Sequence, residues 1–131
     1  MFNSHQTHQL FFMRINFEHI KGLTGEYFVI LFYLFFGFRV IKHRYKNKLG
    51  EIDLILRRGR VIVFCEVKTR IGMLVDMNNV ENIVTKNQMD RIIRSGINFM
   101  KNARYKGFEY RFDIALVSSF WKKPLIIKNI Q

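Results

Sequence analysis

Two β-rich runs separated by Gly59-Arg60 constrain this chain more than any other feature. Residues from Glu51 to Arg57 alternate, and the run from Val61 to Thr69 is rich in β-branched residues. A two-residue loop with glycine first fits a type II′ turn, so the runs form an antiparallel hairpin. Arg58 then faces Val61, and a constant register sets Asp53 opposite Glu66 and Glu51 opposite Lys68. Opposed side chains have Cβ atoms about 4.5–5.5 Å apart. Residues two apart share a face, so these four polar residues lie together. The other face carries Ile52, Leu54, Val63, Cys65 and Val67 as core.

The rest of the chain supplies partners for this hairpin. Gly22-Leu23-Thr24-Gly25-Glu26 leads into a helix expected over residues 24–36, with Gly37 at the left-handed position after its end. That helix is apolar all round, so it is buried, meets a partner, or touches a membrane. Phe38 to Lys42 reads as a short strand, and Arg70 to Val84 as a loop. Thr85-Lys86-Asn87-Gln88 matches a capping box. Apolar residues at helical spacing follow from Met89 to Met100, and the helix is expected to stop near Arg104 to Lys106, before Gly107. Tyr110 to Ser118 and Leu125 to Ile130 are further strands, with Pro124 at the entry to the last. The order is helix, three strands, helix, one or two strands. It predicts an α/β fold, a mixed sheet flanked by helices. Residues 1–21 lack a clean period and read as a flexible extension, with one domain over residues 22–131.

Charge and cysteine usage narrow the function. Lysine and arginine number 22 against 10 acids, a net charge of +12. A small chain with that charge attracts polyanions, either nucleic acid or an anionic membrane face. The same excess also follows from a lysine-rich composition. Cys65 is the single cysteine, which excludes an internal disulfide and a cysteine-built metal site. The apolar run from Tyr27 to Phe38 is shorter than the ~18 residues of a membrane span, so no transmembrane segment is expected. No signal-peptide pattern opens the chain, and the expected location is cytoplasmic.

The hairpin carries the chemistry. Two carboxylates facing each other repel and need compensation. Lys68 is one source, and a divalent cation between Asp53 and Glu66 is another. Magnesium takes oxygen ligands and keeps several waters, so one or two carboxylates suffice. A neighbouring lysine then holds the attacking water or stabilises charge on a phosphate. The alternative is a surface hairpin with cross-strand ion pairs. Three of only ten acids crowd this face of a basic chain, which favours a site.

Gly50-Glu51-Ile52-Asp53-Leu54-Ile55, followed by Val63-Phe64-Cys65-Glu66-Val67-Lys68-Thr69-Arg70, resembles the YraN family of small bacterial proteins. Gly25-Glu26, Gly37 and Arg111-Phe112-Asp113 extend the resemblance over roughly residues 22–118. That family is placed in the restriction-endonuclease-like superfamily with archaeal Holliday junction resolvases, whose signature is an acid, a spacer and then (D/E)-x-K. The resemblance implies a restriction-endonuclease-like core and a magnesium- or manganese-dependent nuclease acting on DNA, with branched DNA as a candidate substrate. Asp53 and Glu66 would ligate the metal with the Val67 carbonyl, and Lys68 would position the water. Glu26 either completes the acidic cluster or is simply a favourable acid in a first helical turn. Arg44, Lys46 and Lys48 either make phosphate contacts or form a solvated basic loop, Arg70 suits a phosphate contact, and Lys86, Gln88 and Arg91 are expected near the cleft. Glu51 is expected to brace Lys68 or the loop, Asp113 to play a structural role rather than order a neighbouring basic side chain, and Tyr45 to pack rather than stack on a base.

Related chains carry polar residues on the outer side of the first helix, where this one has Leu31, Leu34, Phe35 and Phe36. Such a patch implies self-association or a protein partner through residues 24–36. Two readings stand beside the nuclease: a non-catalytic nucleic-acid-binding module, and a docking or membrane-associated protein using this helix.

Overall fold

The computed structural model describes residues 3–73 and 80–130. Helix α1 spans Ser4–Phe35, and strands β1 (Arg39–Asn47), β2 (Gly50–Arg58) and β3 (Val61–Thr69) follow. Short helix α2 covers Val80–Ile83, and α3 covers Lys86–Phe99. A 3₁₀ turn at Ala103–Tyr105 leads to β4 (Glu109–Val117) and β5 (Leu125–Lys128). The sheet order is β1-β2-β3-β4-β5. Only β3 and β4 run parallel, because α3 crosses between them; the other neighbours are antiparallel. This is the α/β architecture with a mixed sheet that the element order predicts.

One helix packs on each face of the sheet. On one side, Val29 and Tyr33 of α1 pack with Leu54, Leu56, Val63, Cys65, Ala115 and Val117. On the other, Ile92 and Phe99 of α3 pack with Ile55, Ile62, Phe64 and Phe112. Burying a large aliphatic or aromatic side chain is worth roughly 1.5–3 kcal/mol, so these layers hold the helices on the sheet. Gly59 has φ +59° at the first loop position, as a type II′ turn requires, and Arg58 pairs with Val61. The expected capping box is present: Thr85 Oγ1 accepts from the Gln88 N–H, and Gln88 Oε1 accepts from the Thr85 N–H.

The structure corrects several boundaries. Helix α1 begins at Ser4 rather than near residue 24. Asn3 caps it, in a reciprocal box with Gln6, and no proline interrupts the following turns. Among the described residues the buried positions of α1 begin at Gly25, so the turns before it lack a core-facing signal. Strand β1 runs on to Asn47, so Arg44 and Lys46 are strand residues. Helix α3 stops at Phe99, before the expected end, and the chain tightens into the 3₁₀ turn before Gly107. The loop expected over Arg70 to Val84 contains α2, while its residues 74–79 lie outside the described residues. Among the described residues no helix is long and apolar enough to cross a membrane.

Candidate active site

The hairpin register holds from Arg58–Val61 to Leu54–Cys65 and then stops. Asp53 and Glu66, expected as a directly opposed pair, lie one step beyond the last rung. There β2 stays with β1 while β3 continues beside β4. Two directly opposed, half-buried carboxylates disfavour a closed ladder. The Asp53 carboxylate takes up part of the lost pairing, accepting the Val67 backbone N–H at 2.9 Å. Strand alternation also breaks here. Ile52, expected on the same face as Leu54, packs instead with Ile55 and the α3 layer.

Strand β1 has a matching irregularity. Arg44 has φ +55°, a left-handed conformation that costs a non-glycine residue about 1–2 kcal/mol. Its two neighbours His43 and Tyr45 pair with Leu54 and Ile52, and no rung joins Arg44 to Asp53. The twist brings adjacent residues to one target. His43 Nε2 lies 2.9 Å from Glu26 Oε2, and Arg44 Nε donates to the same oxygen at 3.0 Å. Glu26 is buried, and a buried carboxylate needs such partners.

Helix α1 reaches the site by close approach. A Cβ at Gly25 would overlap Thr69 Oγ1 at the end of β3. Glycine here lets the helix settle on the strand and carries Glu26 to the acids of the hairpin. The result is a cavity of about 240 Å³ lined by Glu26, Asp53, Glu66, Val67, Lys68 and Arg70, among others. Lys68 Nζ lies 3.6 Å from Glu66 Oε1. The Thr69 hydroxyl is buried without a hydrogen-bond partner at the same edge.

Burial sets the electrostatics. It raises the Asp53 carboxyl, the Val67 N–H opposes this, and the charge of Glu26 adds to it. Burial, and then the charge of Asp53, push Glu66 up to about 8, against the pull of Lys68. Near neutral pH the two carboxyls therefore share negative charge rather than each carrying a full one. An added cation would relieve this.

Among the described residues no group of three or more His, Cys, Asp and Glu side chains is arranged to hold a metal ion. Asp53 and Glu66 are a two-carboxylate set, which fits magnesium with its retained waters. The geometry suits Glu26 less well as a third ligand, because one of its oxygens already serves His43 and Arg44.

Glu66 also borders a second, wider groove of about 540 Å³ on the α3 side. Lys46, Lys48, Gln88 and Arg91 line it, with Glu51. Lys46 pairs with Glu51 at 3.3 Å across the strands, both largely exposed, so Glu51 braces Lys46 rather than Lys68. Of the basic candidates, Lys46, Lys48 and Arg70 thus line the two cavities, while Arg44 turns inward to Glu26. Lys86 is exposed at the start of α3, outside the residues that line the groove. Tyr45 packs edge-on against Phe99. Asp113 is buried, accepting from Tyr33 Oη at 2.8 Å and from Arg111 Nε.

His43 was not foreseen as a site residue. Simple alternation sends His43 and Arg44 to opposite faces, and only the left-handed turn at Arg44 brings both to Glu26. Lys21 and Thr69 were also missed. Both line the acidic cavity, but no spacing rule links them to the hairpin acids.

The model of the uncharacterised protein family UPF0102 matches residues 25–117. A UPF0102 protein of Dictyoglomus turgidum is 39% identical over 93 residues, covering 71% of this chain and 77% of the relative. Another from Mesorhizobium japonicum is 31% identical over 111 residues, covering 83% of this chain and 84% of its own length. A third, from Sulfurihydrogenibium, is 35% identical over 78 residues, 60% of this chain and 66% of the relative. The matched region contains every acid of the candidate site.

Proposed function

This chain belongs to the uncharacterised protein family UPF0102, the YraN family, and for it we propose a magnesium-dependent nuclease that hydrolyses phosphodiester bonds of DNA. The observation that carries this reading is the opening of the hairpin at Asp53 and Glu66. Two half-buried carboxylates and Lys68 meet there in one cavity between two surfaces with basic residues. The arrangement agrees with the restriction-endonuclease-like signature that the sequence resembles.

Asp53 and Glu66 would hold the metal, with the Val67 carbonyl as a further oxygen. When bound, magnesium supplies a lowered pKa for an attacking water and charge stabilisation for the phosphate. The Val67 N–H fixes the Asp53 carboxylate. Lys68, held near Glu66, orients the water and meets charge growing on the phosphate oxygens. Arg70 and Lys21 border the cavity, and Lys48 and Arg91 border the groove, where they would hold the DNA backbone. His43 and Arg44 keep Glu26 in place behind the site. Branched DNA is the substrate suggested by the resolvase likeness.

The test is cleavage of labelled linear, single-stranded and four-way-junction DNA, with and without magnesium, beside Glu66→Ala. Magnesium-dependent cutting lost in the variant supports the nuclease and ranks its substrates. Binding that weakens in salt, with no cutting of any substrate, overturns it in favour of a nucleic-acid-binding module.

A further inference from the structure

Helix α1 has 32 residues, about 48 Å at 1.5 Å per residue, and among the described residues its buried positions all lie in its second half. Among the described residues, Gly25, Glu26, Val29 and Tyr33 are its buried positions. The opposite side carries a regular apolar stripe. Met13, Ile20, Tyr27 and Leu34 recur every seventh residue and are all exposed, at 66%, 60%, 56% and 47%. Leu10 and Leu31 stand three residues before Met13 and Leu34, exposed at 49% and 65%. Steps of three and four within a seven-residue repeat define a coiled-coil seam.

Thr24 is the polar position of the stripe, and its hydroxyl donates to the Ile20 carbonyl at 2.7 Å. It therefore brings no unsatisfied donor to an apolar contact. A globular domain needs one apolar side on a helix, the side facing its sheet. Here a second apolar side runs from Leu10 to Leu34, and its six described apolar residues are exposed.

We propose that this stripe is the contact through which two copies of the chain pair, helix α1 against helix α1, as a coiled coil. The same seam on both molecules is self-complementary, as a twofold dimer requires. At roughly 100 Å² of exposed surface for each of six side chains, a symmetric pair removes roughly 1,200 Å² from water. That reaches the lower bound of a specific interface. Tyr27 of the stripe touches His43, the partner of Glu26, yet none of the six stripe residues lines the acidic cavity, so the inference does not rest on the nuclease reading.

Each copy carries a charge of +12, so pairing works against mutual repulsion. Salt screens that repulsion and strengthens the dimer. Contact with nucleic acid or with an anionic lipid surface weakens in salt instead.

The experiment is sedimentation equilibrium of the full chain from low micromolar to submillimolar concentration, at low and high salt. It is paired with Leu31→Glu and, separately, Ile20→Glu. Both positions are well exposed, and circular dichroism melting of each variant reports whether its domain remains folded. The expected result is twice the chain mass for wild type, tighter in salt. Either glutamate should weaken the dimer by at least about 100-fold, because a charge at the seam must be buried unpaired. A wild-type chain monomeric throughout overturns the proposal, as does a dimer unaffected by both variants. A monomer that instead binds vesicles of phosphatidylglycerol, with binding lost in the same variants, overturns it and assigns the stripe to lipid.

Discussion

Replacing Glu66 by glutamine should change how stability depends on pH in a defined direction. The Glu66 carboxyl sits at about 8 in the folded chain, against an ordinary value of 4.5, chiefly because it is buried and then because Asp53 repels it. A group that binds its proton more tightly in the folded state contributes stability that is fully present below the unfolded value. That stability is lost as the pH rises through the folded value. At 1.36 kcal/mol per unit, this interval corresponds to at most about 5 kcal/mol. Sharing of charge with Asp53 and Lys68 brings the expected loss to about 2–4 kcal/mol. The side chain is only 15% exposed, so solvent screening removes little of it. Urea denaturation in chelator, at a series of pH values between 4.5 and 8, should show wild type weakening steadily. Glu66→Gln keeps the shape without the titrating proton, and its stability should vary much less across the same interval. Magnesium added at the upper end should then restabilise wild type and leave the variant unchanged, since a ligand stabilises only the state that binds it. Equal pH slopes for the two proteins would refute the reasoning.

Other residues separate the roles within the site and the fold. Lys68→Ala should leave magnesium affinity, read by calorimetry, within about threefold of wild type while lowering cleavage by roughly 10²-fold or more, whereas Glu66→Ala should lose both. Gly25→Ala places a Cβ against Thr69 and should cost about 1–3 kcal/mol in urea denaturation, with a matching loss of cleavage as Glu26 moves away. Asp113→Ala strands the Tyr33 hydroxyl, Arg111 and the Asn129 N–H that now share its carboxylate, and should cost about 3–5 kcal/mol in the same assay.

Much of this molecule is legible in its amino acids because the signals are local. Gly59-Arg60 sets the hairpin register through the backbone freedom of one glycine, and Thr85 with Gln88 marks the start of α3 through two reciprocal hydrogen bonds. Asp53, Glu66, Val67 and Lys68 come together because that register leaves little choice. Glu26 and the strand carrying Arg44 and Lys46 were less legible. Their positions depend on contacts between segments distant in the chain.

Tertiary structure alone decided what happens beyond Leu54–Cys65. A register extrapolated from the turn assumes that the ladder stays closed. In the folded chain β2 follows β1, β3 follows β4, and the strands part where two carboxylates would otherwise be pressed together. The left-handed turn at Arg44 belongs to the same accommodation, and its cost is offset by the partners it gives Glu26. No local propensity predicts an arginine in that conformation. Helix α1 shows the complementary case. The seven-residue repeat from Met13 to Leu34 was present in the amino acids throughout, yet the buried side could be told from the exposed one only once the sheet had claimed Gly25, Glu26, Val29 and Tyr33. Periodicity specifies which residues share a face. Packing decides which face the domain uses and which is left for something else.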